Sequence, residues 1–222
     1  MIAIFTPNMV SFTPDRHIRN HIRNHIKPSS HMKPELKPTL WRTARALANA
    51  DRLELLRLVY EAKNERDVTD LAKQMNLAVP TTSTYLRALN ARGLISVIRS
   101  GLHVFYGTNS DRSLPVAAAI QSAFFEFFKK SKPLPRDWAN EFVPLFKGYS
   151  HPRREEIIKC LKRQPMLTFA GLQRASGIHP VTMIRHLNIL VHAGIVTKDD
   201  ARHYSLTPPA NSISEAILES LK

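Results

Sequence analysis

Two short stretches of this chain carry side chains able to read a double helix, and they are spaced alike. In the later one, Val181-Thr182-Met183-Ile184-Arg185-His186-Leu187, the helical period puts Met183, Leu187 and Leu190 on one inward face. Val181, Thr182, Arg185 and His186 are left for the other face. Arg185 is the chemically decisive member, because a guanidinium can bind O6 and N7 of a guanine together. His186 can hydrogen-bond a phosphate or a base, or pack at the helix edge. In the earlier stretch, Thr82, Leu86 and Leu89 turn inward, and Thr81, Ser83, Thr84 and Tyr85 turn outward, with Arg87 near a phosphate backbone. That set aims no arginine at bases, so weaker or more apolar readout is expected there, of the kind a thymine methyl offers.

The elements that must position these side chains are themselves repeated. At an offset of 101, Leu77 meets Ile178, Leu86 meets Leu187, Leu89 meets Leu190, Gly93 meets Gly194 and Leu94 meets Ile195. An internal repeat outweighs any local propensity. Further upstream, with one residue more between the copies, Leu40, Ala44 and Leu47 match Phe142, Phe146 and Tyr149. Leu55, Leu56 and Val59 match Ile157, Ile158 and Leu161 in the same way. Asp67 is the expected cap of a third helix, with Asp70 favourable near the positive end of its dipole, and Thr168 is the expected cap of the counterpart. Asn76 and Gly177 stand where a tight turn between two helices needs a positive φ, and Gly93 and Gly194 stand where the next helices must end.

A hairpin follows each copy's last repeated helix. The first is read as Ile95 to Arg99, a Ser100-Gly101 turn and Val104 to Tyr106. The second is read as Val196 to Lys198, Asp199-Asp200-Ala201 and His203 to Leu206. Arg99, His103, Lys198, Arg202 and His203 lie on these wings, placed for phosphates or the minor groove, contacts that position a protein without carrying much sequence information. Each copy closes with a helix. Ser113 is the expected cap of the first, which runs through Ala117, Ile120, Phe124, Phe127 and Phe128. Ser212 with Glu215 forms a capping-box pattern for the second, through Ile213, Ile217, Leu218 and Leu221.

Thr182 to Leu187, with Leu190 and Ala193-Gly194-Ile195-Val196, resembles the recognition helix of ArsR-type winged-helix regulators, including its His-Leu pair and the Ala-Gly that ends it. The first copy keeps Leu86, Leu89 and Gly93 but has Tyr85 where the family usually has His and Arg92 where it usually has Ala. Its Ala50-Asp51-Arg52-Leu53 is also similar to the family's Arg-Leu start of the second helix. The resemblance covers roughly residues 40 to 222. It implies a mainly α fold with small β-hairpin wings, built as tandem winged helix-turn-helix domains. It also implies sequence-specific binding of double-stranded DNA for transcriptional control. Family members usually dimerise through their first and last helices, so one chain with both copies implies an intramolecular pseudo-dimer. Phe124, Phe127 or Phe128 would then meet Phe142 or Phe146, the alternative being that each aromatic completes its own copy's core. The expected organisation is an arm over 1–38, a first domain over 39–130, a linker over 131–136 and a second domain over 137–222. The boundary falls in Lys129 to Arg136, a basic stretch with two prolines.

Composition narrows the partners. The formal charge is +14, from 32 Lys and Arg against 18 Asp and Glu, which favours nucleic acid or an anionic membrane. No apolar run reaches the length that spans a bilayer. The start, Met1 to Phe5, lacks the basic lead of a secretory signal. The single cysteine, Cys160, excludes an internal disulfide, suits a reducing cytoplasm and sits on a core face. Residues 1–38 carry five prolines and no sustained apolar period, the pattern of a disordered basic arm. Within it His17, His21 and His25 recur every fourth residue; they would share a helical face able to hold a metal ion, or simply belong to a solvated tail.

Metal sensing at the family's usual places is not supported, since Arg66 to Ala72 has no cysteine and neither closing helix has a histidine. No phosphate-cradling glycine loop, nucleophile motif or metal-hydrolase spacing is present, so no catalytic residue, metal site or cofactor is assigned and no enzyme is expected. The reading is a cytoplasmic transcriptional regulator that binds double-stranded DNA and not membrane. The alternatives are a winged-helix protein-interaction scaffold or a non-specific architectural DNA binder. The operator, the effector, the sign of regulation and further homodimerisation of the chain stay open.

Overall fold

Each copy builds the same series of elements, in the same order. The computed structural model describes residues 39–221 apart from 63, 102 and 109–113. The expected arm over 1–38, with its spaced histidines, and the Ser113 cap therefore lie outside the described residues. The first copy comprises α1 (Leu40–Leu47), α2 (Ala50–Glu61), β1 (Arg66–Asp67), α3 (Val68–Met75), α4 (Val79–Asn90), β2 (Ser96–Ser100), β3 (His103–Gly107) and α5 (Pro115–Lys130). The second comprises α6 (Trp138–Tyr149), α7 (Pro152–Arg163), β4 (Leu167–Thr168), α8 (Phe169–Ser176), α9 (Pro180–His192), β5 (Val196–Lys198), β6 (His203–Leu206) and α10 (Ser212–Glu219).

Local chemistry sets the helix ends. The Asp67 carboxylate accepts the Thr69 N–H ahead of α3, and the Thr168 hydroxyl accepts the Gly171 N–H ahead of α8. Asn76 at φ 51° and Gly177 at φ 66° then turn the chain in the left-handed region. Pro80 and Pro180 lie in the first turns of α4 and α9, where a missing N–H costs the helix nothing and a fixed φ favours its start. Gly93 and Gly194, at φ 70° and 67°, carry the chain out of these helices into the wings.

Two sequence expectations are corrected. The capping box of α10 lies one residue earlier than Ser212 with Glu215: Asn211 accepts the Ser214 N–H, and the Ser214 hydroxyl accepts the Asn211 N–H. Asn211 is the last residue with extended backbone, and only a side chain at that point can reach back to the third helical N–H. The wings are also larger than hairpins. Each is a three-stranded antiparallel sheet, in the orders β1-β3-β2 and β4-β6-β5. Arg66 and Asp67 pair with Tyr106 and Phe105, and Leu167 and Thr168 with Tyr204 and His203. Strands of two residues have no period to betray them.

The copies pack through equivalent helices, α1 against α6 and α5 against α10, with α2 also on α6. Counterpart against counterpart is the pattern of an isologous interface, here within one chain. The aromatics left open by the sequence join the copies. Phe124 stacks on Phe146 with ring centroids 5.9 Å apart, Phe127 meets Phe142 edge-on at 5.0 Å, and Phe128 meets Trp138 edge-on at 5.2 Å. One apolar core runs through both copies, from Leu40 and Leu47 to Ile213 and Ile217. Polar contacts reinforce the seam: Trp138 Nε1 donates to Glu54 at 2.8 Å, and Lys132 lies 3.7 Å from Glu61. Cys160 is buried with a free thiol.

Candidate nucleic-acid interface

Helix α9 presents its outer stripe without obstruction. Val181 and Ile184 are 71% and 51% exposed, and Arg185 and Asn188 are exposed beside them. Ile184 and Asn188 were not singled out from the sequence, although their spacing from Val181 and Arg185 puts all four on one helical stripe. Thr182 is half-buried. Arg185 makes no ion pair among the described residues.

His186 stands elsewhere than expected. It is only 6% exposed and turns inward, its ring 4.5 Å from that of His151. Its Nδ1 lies 3.4 Å from Arg154 Nη1. Arginine has no acceptor, so Nδ1 must accept. Arg154 is itself buried and binds the end of α6, donating from Nε to the Gly148 carbonyl at 2.8 Å and from Nη2 to the Lys147 carbonyl at 2.7 Å. The helix end explains why. α6 stops at Tyr149, and the guanidinium takes up two of the carbonyls that a helix end leaves without intrahelical partners. A cation there also suits the negative end of the helix dipole. Burial first, then the neighbouring His151 and Arg154, lowers the His186 pKa to about 4, which keeps the imidazole neutral. His186 thus fastens α9 to α6 and α7 instead of facing a groove.

The first copy uses the same two positions with different chemistry. Arg52 replaces Arg154 and Tyr85 replaces His186, with the guanidinium 5.6 Å from the centre of the tyrosine ring. Tyr85 is half-buried by this contact, again a supporting place more than an outward one. Thr81 and Ser83 are half-buried, and Thr84 and Arg87 are exposed. The Thr84 hydroxyl donates to the Pro80 carbonyl at 2.9 Å. Arg87 folds along its own helix, donating to the Ser83 carbonyl at 3.2 Å and to Thr84 Oγ1 at 3.3 Å.

On the wings Arg99, His103, Lys198 and Arg202 are exposed and His203 is half-buried. His103 lies 3.8 Å from Asp67, and His203 lies 3.4 Å from Asp199, so both histidines have carboxylates close by. The Lys198 ammonium sits 5.8 Å from the centre of the Tyr204 ring. Arg202, at φ 64°, forms the turn of the second wing. Among the described residues no three His, Cys, Asp or Glu side chains gather so as to hold a metal ion, and no helix is long and apolar enough to cross a membrane.

Two separate stretches, residues 49–97 and 151–198, match one family model, described as bacterial regulatory protein, arsR family. The first stretch opens at Asn49 and the second at His151, the residues that cap α2 and α7, and both run into the second strand of their wings. No curated protein matches the chain.

Proposed function

We propose that this chain, two tandem ArsR-type helix-turn-helix copies and so a DNA-binding regulator in kind, is a sequence-specific transcriptional regulator acting in the cytoplasm. Recognition helices α4 and α9 enter the major groove, and the wings lie on the backbone. The observation that carries this reading is the unpaired Arg185 on the exposed stripe of a firmly anchored α9. A rigid helix with a free guanidinium fits guanine, and Val181 and Ile184 beside it fit thymine methyls. In the first copy Thr84 and Arg87 remain for a weaker half of the site, while Thr81, Ser83 and Tyr85 act close to their own helix. Arg99, His103, Lys198, Arg202 and His203 hold phosphates and fix the register. The domains are taken as 39–130 and 137–222, and their counterpart packing suits a two-part site on one duplex.

Selection of genomic fragments by the purified protein at physiological salt, followed by sequencing, tests this. A discrete two-part site is expected, with the stronger part assigned to α9. Enrichment of one part alone would remove base reading from α4. No enrichment would overturn sequence specificity and favour a second reading. That reading, a protein-interaction scaffold, draws on Val181, Ile184 and Val191, which expose an apolar line along α9. A non-specific architectural binder would differ from both by a steep salt dependence common to every sequence.

A further inference from the structure

Two exposed arginines, one from each copy, close on the turn between α6 and α7. Burial first, then Arg154, Arg153 and Arg45, lowers the His151 pKa below its ordinary 6.5, so three guanidiniums press on one imidazole. Arg154 is buried and committed to the end of α6. Arg45 and Arg153 are exposed and make no ion pair among the described residues. Arg45 lies in the last turn of α1, its guanidinium 5.0 Å from the centre of the Trp41 ring, a contact with the ring face that leaves its N–H donors available. The His151 ring supplies a further donor. Its Nδ1 accepts the Arg153 N–H at 3.1 Å and so caps α7, which puts the proton of the neutral ring on Nε2. Nε2 has no partner among the described residues and, unlike Arg52 Nε, is open to solvent.

This cluster adjoins the recognition helix of the second copy. The His151 ring lies 4.5 Å from that of His186, and Arg153 and Arg185 are both close enough to His186 to disfavour its charged form, after burial, His151 and Arg154. A helix α9 seated in the major groove through Arg185 therefore brings the turn at His151 up to the sugar–phosphate edge of that groove, on the side where the first copy supplies Arg45. We propose that Arg45, His151 and Arg153 form a further DNA contact, a clamp built from both copies that holds the duplex phosphates at the inner edge of the half-site read by α9. The chemistry fits phosphate: two exposed guanidiniums and one directed N–H donor offer charge and hydrogen bonds. The first copy has no equal. At the matching positions stand Asn49, whose side chain caps α2, and Asp51, whose carboxylate would repel a phosphate. The clamp is thus one-sided. Its location rests on the DNA-binding reading, with α9 in the groove.

The salt dependence of binding tests it. Full-length protein is titrated into a labelled duplex over a range of salt concentrations at about pH 8, where the His151 ring is neutral. Each phosphate neutralised contributes about 0.9 to the log–log slope, so the advantage of the parent protein over Arg45→Gln or Arg153→Gln should shrink about 3.5-fold between about 50 and 200 mM salt. For the double variant it should shrink about twelvefold. His151→Asn keeps a cap of the kind Asn49 provides and removes only the ring donor; it should weaken binding about fivefold and leave the slope unchanged. On the selected duplex, ethylation of the inner-edge phosphates should block the parent protein and spare the double variant. An unchanged slope in the double variant, or ethylation interference confined to phosphates under the wings, overturns the clamp. The salt series can be run on an unselected duplex as well. Failure of the genomic selection would remove sequence specificity and leave these slopes to be read, so the two readings fail separately.

Discussion

Replacing Arg154 with methionine keeps an unbranched stem in the core and removes the guanidinium, and the structure sets the size of the effect. The Gly148 carbonyl, at the open end of α6, loses its donor at 2.8 Å. A hydrogen bond from a charged donor is worth ~1.5–3 kcal/mol, and leaving its buried acceptor unpaired costs ~1–3 kcal/mol. These overlap and are not summed. The Lys147 carbonyl loses less, because the Ser150 N–H and hydroxyl also reach it, at 3.2 and 2.9 Å. With partial recovery from the methionine packing, the net loss is about 3 kcal/mol, a large share of the roughly 5–15 kcal/mol typical of a folded domain. Arg52→Met is the control contained in the same chain. Arg52 donates once, to the Arg45 carbonyl at 3.1 Å, its Nε has no partner, and it stands over Tyr85. Losing one such bond and an exposed-type cation–π contact costs about 1 kcal/mol. Urea unfolding of both variants, followed by circular dichroism, should separate them by about 2 kcal/mol. Equal losses, or a loss below about 1 kcal/mol for Arg154→Met, would refute the argument that this guanidinium serves the open carbonyls at the end of α6.

Three further outcomes follow from other parts of the molecule. Arg185→Ala should leave stability within about 0.5 kcal/mol, since the side chain is exposed and unpaired, yet weaken binding to the selected site by about 1–3 kcal/mol and relax its base preference; competition binding reads both, and an unchanged preference would remove Arg185 from base reading. Phe124→Ala empties a fully buried position stacked on Phe146 and should cost about 3–5 kcal/mol, with both copies losing stability in the same unfolding transition; a loss confined to the first copy would contradict the shared core. The pH dependence sets Glu155 against His186, beside which burial also lowers the neighbouring His151. Burial pushes the Glu155 carboxyl up to about 7 from its ordinary 4.5, so the fold favours the neutral acid and this contribution is lost as the pH rises through that interval. His186 is lowered to about 4 from its ordinary 6.5, so the fold favours the neutral ring and that contribution is lost as the pH falls toward 4. Glu155→Gln removes the first and should leave a stability that rises with pH between about 4.5 and 6.5 more steeply than in the parent protein; superimposable curves would sink the assignment.

Most of the architecture was legible because it is written twice. Asn76 and Gly177, or Gly93 and Gly194, each weigh little singly, but matched pairs of residues that tolerate positive φ fix where helices must end. The capping residues Asp67 and Thr168 were readable for the same reason, since a cap acts over three residues. What stayed hidden depends on partners far along the chain. A helical period separates Leu187 from Arg185 well, but His186 lies at the border of the buried stripe. Its side was decided by Arg154, held in place by the open carbonyls at the end of α6. Likewise the sequence could not choose between a shared and a private use of the aromatics, because Phe124 and Phe128 satisfy the same period in either case; only Phe146 and Trp138 from the other copy decide it.

The repeat carries one more consequence, for what each copy is suited to do. Where the first copy covers its glycine with Leu114, the second caps its closing helix with Asn211 and leaves Gly194 exposed. Where the second copy fixes its recognition helix through a buried Arg154–His186 contact and leaves Arg185 free, the first uses a looser Arg52–Tyr85 contact and folds Arg87 back on itself. On the proposed function, the second difference gives the stronger DNA contact to the second copy and leaves the first as its packing partner. Joining them covalently lets such a division persist, since a homodimer must place every substitution in both halves at once.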